Sequence, residues 1–522
     1  MKIIFRVDAS IEIGFGHVMR CLSLAKVLKN NGSNVQFICR NHPGNLIGKI
    51  RSNGFDVIEL NAPSNIVDDK LFHSSWLGET QKKDAIECVE ALQFYNVNWI
   101  IVDHYGIDEE WQERLKPHCV KLMVIDDLAD RRHLCDILLD QTFARKKRDY
   151  KGLILGKCVV LLGSQYALLR LEFSIHRKYS LERRSKFQFK RLFINFGGVD
   201  FNNMTGEILK EVGKCNLPKD LNVLVVVGKG SPHLKSIEAQ SKLCPYKTIV
   251  KVDVDNIAEI MSNSDIAIGA AGSTAWERCC LGLPTIQMVI SKNQSFSANM
   301  LAENHIVKPL KRAQDISLLL ENLNEWLEPV RNKSKNFCDG LGSYRVFNRM
   351  SDCSLSLKKI GRVQLCNYIN LNMNDKDTVM NMRNHIEIKR WMHNKNVISK
   401  KEHLDFIQQL EDDISRRYFL VKKEGKIVGS INFSNINLDN SAEFGIYTNP
   451  FEKIKYGGLI LEESASFYVF NELKIKNIKL KVLTNNKRAI DFYKKCNFKK
   501  DKGKSNKEVL YMKKSDTFWN KL

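Results

Sequence analysis

The sequence predicts an α/β chain built as two βα-repeating halves, followed by a smaller α+β unit. Three observations carry this. Strand and helix patterns alternate through the first third of the chain, and the same rhythm restarts at Arg191. After a polar stretch without periodicity, from about Asn332 to Lys359, the pattern changes to helices, a hairpin and further strands. At 522 residues, with roughly 100–200 residues per domain, three such units fit the length.

Each element has its own signal. "KIIFRVDA", "NVQFICR", "NWIIVD" and "VKLMVIDD" are near-continuous apolar runs, as a parallel sheet covered on both faces requires. Between them, "GHVMRCLSLAKVLKNNG" reads as an amphipathic helix ending at Gly32, and "KKDAIECVEALQFY" as another. The second half repeats the pattern in "RLFINFGG", "LNVLVVVG", "YKTIVKV", "DIAIGA" and "LPTIQMV". The halves join near "YALLRLEF", Tyr166–Phe173. The last unit offers helices "DTVMNMRN" and "KKEHLDFIQQL", then strand "RYFLVKK", turn "EGK" and strand "IVGSINF". Strand "AEFGIYT", helix "GGLILEESASFYVFNEL", strand "IKLKVL", helix "NKRAIDFYKKC" and strand "EVLYMKK" complete it. The expected domains are 1–170 and 171–345, a linker 346–360, and 361–522.

A net charge of +22 and a pI near 9.3 suit a nucleic-acid or membrane-surface partner, or anionic small molecules such as nucleotides and coenzyme A. A solvated basic face is the plainer alternative. The Lys and Arg residues are scattered, with no aromatic-basic stripe, so no nucleic-acid partner is expected. No stretch reaches the roughly 18 apolar residues needed to span a bilayer, so no membrane role is expected. No signal peptide fits the start of the chain. Fourteen irregularly spaced cysteines, several in apolar runs and none in a C-x-x-C pair, suggest reduced thiols and a cytoplasmic location.

Chemistry concentrates where strands hand over to helices, in the cleft outside the carboxyl ends of the strands. "GAAGSTAWERCCLGLP" (Gly269–Pro284) packs small residues at such a corner. Gly272, Ser273 and Thr274 would receive a diphosphate, and Glu277 would accept two ribose hydroxyls. The competing reading is a capped helix with a solvent-facing Glu. Gly197 in "FGGVD" and Asn293 in "KNQ" face the same cleft, or are simple turn residues. In "IEIGFGHVMRC", Gly14 and Gly16 leave room beside His17, a candidate base that could instead only cap its helix. At a helix start the positive dipole end disfavours an imidazolium, leaving a ring able to accept a proton. Asp8, Asp103, His104, Tyr105 and Asp126–Asp127 also sit at strand ends, with Asp8 and Tyr105 expected to touch substrate. Their spacing matches no metal-ligand motif, and no metal is expected.

The two halves resemble a glycosyltransferase-B fold, that is, two Rossmann-like lobes with a nucleotide-sugar site in the second. "IGFGHVMRCLSLAKVL" is similar to the glycine loop of the transferases that form lipid II. A closer resemblance joins "RVDASIEIGFGHVMRCLSLA", "YALLRLEF", "FINFGG" and "AIGAAGSTAWERCCLGLP" to the UDP-sugar hydrolases of pseudaminic acid synthesis, over roughly residues 1–345. That resemblance implies cleavage of UDP-2,4-diacetamido-2,4,6-trideoxy-β-L-altrose to UDP and free sugar, without a metal, with His17 as base. UDP departs as a stable anion, so the paired carboxylates of ordinary glycosidases are not needed.

"NNKRAIDFYKKCNF" (Asn485–Phe498) resembles the closing motif of GNAT-type acetyltransferases. The resemblance implies acetyl-CoA as cosubstrate and Tyr493 as the acid that protonates the coenzyme A thiolate; an aromatic core pair with Phe492 is the alternative. It also implies acetyl-CoA contacts at Ile446, Tyr447, Lys455, Gly457, Gly458 and Asn486. The loop "KIKYGGLIL" departs from the usual pattern, with Lys455 where a glycine is usual. "MRNHIEIKRWMHNKNVISKKEHLDFI" resembles the branch that acetylates UDP-4-amino-4,6-dideoxy-N-acetyl-β-L-altrosamine. Its amine base stays open between Glu443, His393 and water. Together the resemblances imply two consecutive steps on one chain. Alternatives are a UDP-sugar glycosyltransferase fused to an acetyltransferase of other specificity, and a basic scaffold without turnover.

Overall fold

The computed structural model describes residues 1–64, 70–92, 96–350, 355–357, 363–392, 394–413, 415–437, 441–473, 475–501, 505 and 508–516. The chain divides into two compact units, Met1–Lys29 with Ser33–Ser343, and Asn30–Gly32 with Tyr344–Leu522.

The first unit holds two parallel sheets. The seven-stranded sheet contains β1 (Lys2–Val7), β2 (Asn34–Arg40), β3 (Asp56–Leu60), β4 (Val97–Asp103), β5 (Cys119–Ile125), β6 (Ile137–Asp140) and β7 (Val159–Leu162), in the order β3-β2-β1-β4-β5-β6-β7. The six-stranded sheet contains β8 (Arg191–Asn195), β9 (Asn222–Val227), β10 (Lys247–Val252), β11 (Ile266–Ala270), β12 (Thr285–Met288) and β13 (Lys308–Leu310), in the order β10-β9-β8-β11-β12-β13. Both are the expected βα-repeating halves. Their apolar strands are buried on both faces: Ile3, Ile4 and Phe5 in β1, and Leu192, Phe193 and Ile194 in β8, are fully buried. The strand order reverses at β1/β4 in one sheet and β8/β11 in the other. Crevices open outside the carboxyl ends of strands at such switch points.

The helix Gly16–Asn30 follows β1. It buries Val18, Cys21, Leu22, Leu24, Ala25, Val27 and Leu28, and Gly32 (φ +79°) ends it in the left-handed conformation where only glycine is unstrained. The joining segment is packed: Ala167, Leu169 and Phe173 share a core with Trp276 and Phe337, whose rings stack at 5.3 Å.

The second unit is one eight-stranded sheet. Its strands are β14 (Leu355–Leu357), β15 (Val363–Asn367), β16 (Arg417–Lys423), β17 (Lys426–Asn437), β18 (Ser441–Thr448), β19 (Asn477–Leu483), β20 (Lys499–Lys500) and β21 (Val509–Ser515). Every pair is antiparallel except β18 with β19. The predicted hairpin is present: Glu424 (φ +50°) and Gly425 (φ +82°) form the tight turn between β16 and β17.

Within the expected linker 346–360 the described residues include the end of a helix, Gly342–Met350, and β14, which pairs with β15; 351–354 and 358–360 lie outside the described residues. The helix buries Val346, Phe347 and Met350, but at nine residues it is too short for that pattern to stand out among its polar neighbours. The predicted helix 457–473 is α-helical only over Gly457–Phe467, then widens to a π-turn over Tyr468–Glu472. Of the predicted helix over 82–95, residues 93–95 lie outside the described residues.

Candidate active sites

His17 enters the first switch-point crevice from the second position of the helix after β1. Asp103, the last residue of β4, meets it there: His17 Nδ1 lies 2.7 Å from Asp103 Oδ1. The neighbouring strands β1 and β4 make this encounter a consequence of topology. Arg20, one helical turn beyond His17, grips the same carboxylate with Nε and Nη2, both at 2.6 Å. Arg20 also pairs with Asp127, which accepts the Tyr105 hydroxyl at 2.6 Å. Burial raises the Asp103 pKa, but the Arg20 charge overrides it and, with the hydrogen bonds from Arg20 and His17, holds the carboxyl below its usual range. An ionised Asp103 fixes the imidazole tautomer: Nδ1–H donates to the carboxylate and Nε2 keeps its lone pair.

Aromatic rings wall this ring in on one side. Tyr105 meets His17 edge-on at 4.6 Å, and Trp76 stacks on Tyr105 at 5.8 Å. His73 lies 4.4 Å from Trp76. The expected Tyr105 is therefore beside His17, while Arg20, Trp76 and His73 escaped the sequence reading. The i, i+3 spacing of His17 and Arg20 on one helix was the available signal.

Asp8 is placed elsewhere than expected. Its side chain is fully buried, pairs with Arg6 at 2.6 Å and accepts the Arg40 backbone N–H at 2.7 Å. Arg6, Arg40 and Asp84 continue this internal network. These partners engage Oδ1; Asp8 Oδ2 has no hydrogen-bond partner among the described residues and faces His104 Nε2 at 3.5 Å and His42 Nε2 at 3.7 Å. His104, held in the same interior, is pushed down to about 3, mainly by burial.

The second sheet brings its own glycine loops to the same crevice. A Cβ on Gly16 would sit 3.4 Å from Ser273 Oγ, and one on Gly198 would sit 2.8 Å from the Phe15 ring. Thus the Gly14–Gly16 loop, with Gly14 at φ +79°, touches both the Gly197–Gly198 loop and the start of the Thr274–Cys280 helix. Gly197 adopts φ +100°, and a Cβ on Gly272 would lie 3.6 Å from Gln294 Nε2. Gly16, Arg20, Gln141, Arg170, Ser273 and Glu277 line a cavity between the two sheets. Glu277 is neither solvent-facing nor free: Arg170 Nη2 lies 3.4 Å from its Oε1, and burial raises its pKa. The Asn293 side chain lies outside the described residues.

In the second unit, β18 and β19 pair only over Ser441–Glu443 and Asn477–Lys479, although β18 runs on to Thr448 and β19 to Leu483. The strands part beyond Glu443, and Ile446 and Tyr447 stand on the parted edge. Tyr493 is buried against Phe444 (6.1 Å), Phe492 (5.4 Å) and Phe498 (5.6 Å), and burial raises its phenol well above the usual range. It is thus in the aromatic core and at the parting point together. Gly457 and Gly458 open the Gly457–Phe467 helix; Tyr456, not a glycine, takes the left-handed turn before it (φ +61°), and Lys455 Nζ lies 5.2 Å from the Tyr456 ring centre. Asn486 caps the Lys487–Lys495 helix by accepting the Ala489 N–H at 3.1 Å. Glu443 pairs with Lys481 at 2.9 Å, and His393 lies outside the described residues.

Comparisons with known proteins fall on these two units. Residues 192–336 match the glycosyltransferase family 28 C-terminal domain, and residues 383–498 match the acetyltransferase (GNAT) family. Over 305 residues the chain is 32% identical to the UDP-2,4-diacetamido-2,4,6-trideoxy-β-L-altropyranose hydrolase of Campylobacter jejuni, covering 58% of this chain and 97% of that protein. Over 136 residues it is 35% identical to the acetyltransferase PseH of Campylobacter jejuni, covering 26% of this chain and 84% of that protein. The chain belongs to both families. The hydrolase family accounts for the first unit and the PseH acetyltransferase family for the second. MurG of Acinetobacter baumannii shares the fold of the hydrolase part, with a TM-score of 0.50 at 12% identity over 67% of this chain and 99% of that one. Among the described residues no group of three or more His, Cys, Asp and Glu side chains is placed to hold a metal, and no helix is long and apolar enough to cross a membrane.

Proposed function

We propose that the chain is a bifunctional cytoplasmic enzyme of pseudaminic acid synthesis. The second unit acetylates the 4-amine of UDP-4-amino-4,6-dideoxy-N-acetyl-β-L-altrosamine, and the first hydrolyses the diacetamido product to UDP and free sugar. The observation that carries the hydrolytic half is the His17–Asp103 contact of 2.7 Å at the crevice shared by both sheets.

In the hydrolytic step His17 Nε2 takes a proton from water while the oxygen attacks the anomeric carbon. The bond from that carbon to the diphosphate oxygen breaks, and UDP leaves as an anion with no proton required. Asp103 orients the ring and stabilises the imidazolium that forms, as in other carboxylate–histidine pairs. Ser273, Thr274, Gly272 and Gly197 line the diphosphate side, Glu277 takes the ribose, and Gly14, Gly16 and Tyr105 border the sugar. Glu277 must exchange Arg170 for the ribose hydroxyls when substrate enters.

The parted edge of β18 fits the pantetheine arm of acetyl-CoA, since backbone groups past Glu443 lack a β19 partner in the register. Bound there, acetyl-CoA supplies an activated acetyl thioester. Ile446 and Tyr447 offer backbone hydrogen bonds, and Lys455, Gly457 and Gly458 border the pyrophosphate. Tyr493, kept protonated by burial, donates to the departing thiolate. Asn486 acts by capping the helix that carries Tyr493.

The test is incubation with acetyl-CoA and the UDP-4-amino sugar, following free thiol and UDP separately. Thiol release first and UDP release after it, with no acceptor added, is the expected order. UDP released only when an acceptor is supplied would favour a glycosyltransferase.

A further inference from the structure

Arg278 is the most deeply buried cation of the nucleotide-side lobe. It is fully inaccessible, one turn into the Thr274–Cys280 helix. Among the described residues no carboxylate pairs with it; the adjacent Glu277 pairs with Arg170 instead. Its two terminal nitrogens are used locally. Nη2 donates to the Ala270 carbonyl at 2.7 Å and Nη1 donates to Thr274 Oγ1 at 3.0 Å, while Nε has no partner among the described residues. Burial lowers its pKa to about 10, which leaves it charged at neutral pH.

Two consequences follow from this placement. First, the guanidinium packs against the end of β11: a Cβ on Gly269 would meet the Asn195 carbonyl at 2.5 Å and Arg278 Nη1 at 2.8 Å. Second, Thr274 Oγ1 is engaged as an acceptor by a charged donor, and no described group accepts from it. Its hydrogen is therefore left for another acceptor, and Thr274 is itself partly exposed, next in the chain to Ser273. A hydroxyl that accepts from a cation is a stronger donor, and best matched to an anion. An unpaired buried cation is costly, and the cost falls when a negative ligand arrives nearby.

We infer that Arg278 is a positioning residue for the anionic leaving group: it fixes the Thr274 hydroxyl as a donor and places an uncompensated positive charge beneath the diphosphate. The inference rests on the UDP-sugar reading of this lobe and assigns the diphosphate, within that ligand, to the Arg278–Thr274 pair. The guanidinium itself does not touch ligand, so its effect must be specific to ligand charge.

The test is calorimetric binding of UDP and of uridine to the full chain, for wild type, Arg278→Met, Arg278→Lys and Thr274→Val. Arg278→Met is expected to weaken UDP about tenfold or more, the loss of a charge-assisted contact, and to leave uridine within about twofold. Arg278→Lys should recover part of the UDP affinity. Thr274→Val keeps the buried cation and should still weaken UDP selectively, so the inference stays testable if Arg278→Met fails to fold. Equal losses of UDP and uridine in Thr274→Val and the folded Arg278 variants, or no loss of UDP, would overturn it. If wild type binds UDP no more tightly than uridine, the nucleotide reading itself fails and takes the inference with it.

Discussion

His17 Nδ1 and Asp103 Oδ1 stand 2.7 Å apart, one from the helix after β1 and the other from the end of β4. Adjacent parallel strands deliver both residues to one point, and Arg20 locks the carboxylate from its other side. Asp103→Asn keeps the shape but can present its amide N–H to the ring, stabilising the wrong tautomer. UDP release should fall on the order of 10²–10⁴-fold with acetyl transfer unchanged. Steady-state rates of both products check this.

The two activities should separate by mutation. His17→Ala is expected to lower UDP release on the order of 10²-fold or more while thiol release persists. Tyr493→Phe should do the reverse, because the phenylalanine keeps the aromatic packing around Phe444 and Phe498 but cannot protonate the thiolate. Loss of both activities in either variant would show that the sites are not independent.

The sequence made the repeating βα rhythm legible because buried parallel strands are continuous apolar runs. It missed β3, β6, β7 and β13, which are short or half-exposed edge strands whose pattern competes with turn residues. His17 was legible from its glycine flanks and the family resemblance. Asp103 was seen as a strand-end acid, but its pairing with His17 and Arg20 depends on β1 lying next to β4, which periodicity does not specify. Asp8 looked like a substrate contact for the same reason: a strand-end carboxylate reads alike whether it faces a cleft or an internal arginine.

The buried network of Arg6, Asp8, Asp84 and Arg40 sets acid stability. Asp84 accepts from Arg6 Nη2 at 2.6 Å, Arg40 Nη2 at 2.7 Å and Trp111 Nε1 at 2.8 Å. Burial raises the Asp84 and Asp8 carboxyls, but Arg6 beside them overrides this and both lie below the usual range. A depressed folded pKa gives stability that is complete above the unfolded value of about 4 and is lost as pH falls toward the folded value. Asp84→Asn should therefore cost about 3–5 kcal/mol at pH 7 and flatten the decline in acid. Urea unfolding at neutral pH reads the first, and the same measurement from about pH 4 downward reads the second.

Where the glycine loops meet across the crevice, Gly198 has no room for a side chain. A Cβ at Gly198 would lie 2.8 Å from the Phe15 ring, two residues before His17. Gly198→Ala is expected to displace that loop and slow UDP release by up to about 10²-fold, with thiol release intact. Unchanged UDP release would mean the loops move freely.

The central claim is that His17 directs water onto the anomeric carbon of a UDP-sugar. Hydrolysis of UDP-2,4-diacetamido-2,4,6-trideoxy-β-L-altrose in ¹⁸O-water, without any acceptor, tests it most directly by mass spectrometry of both products. The account predicts the heavy oxygen in the free sugar and unlabelled UDP, with the labelled sugar lost in His17→Ala. Label in the nucleotide, or labelled sugar formed at the wild-type rate by His17→Ala, would contradict it.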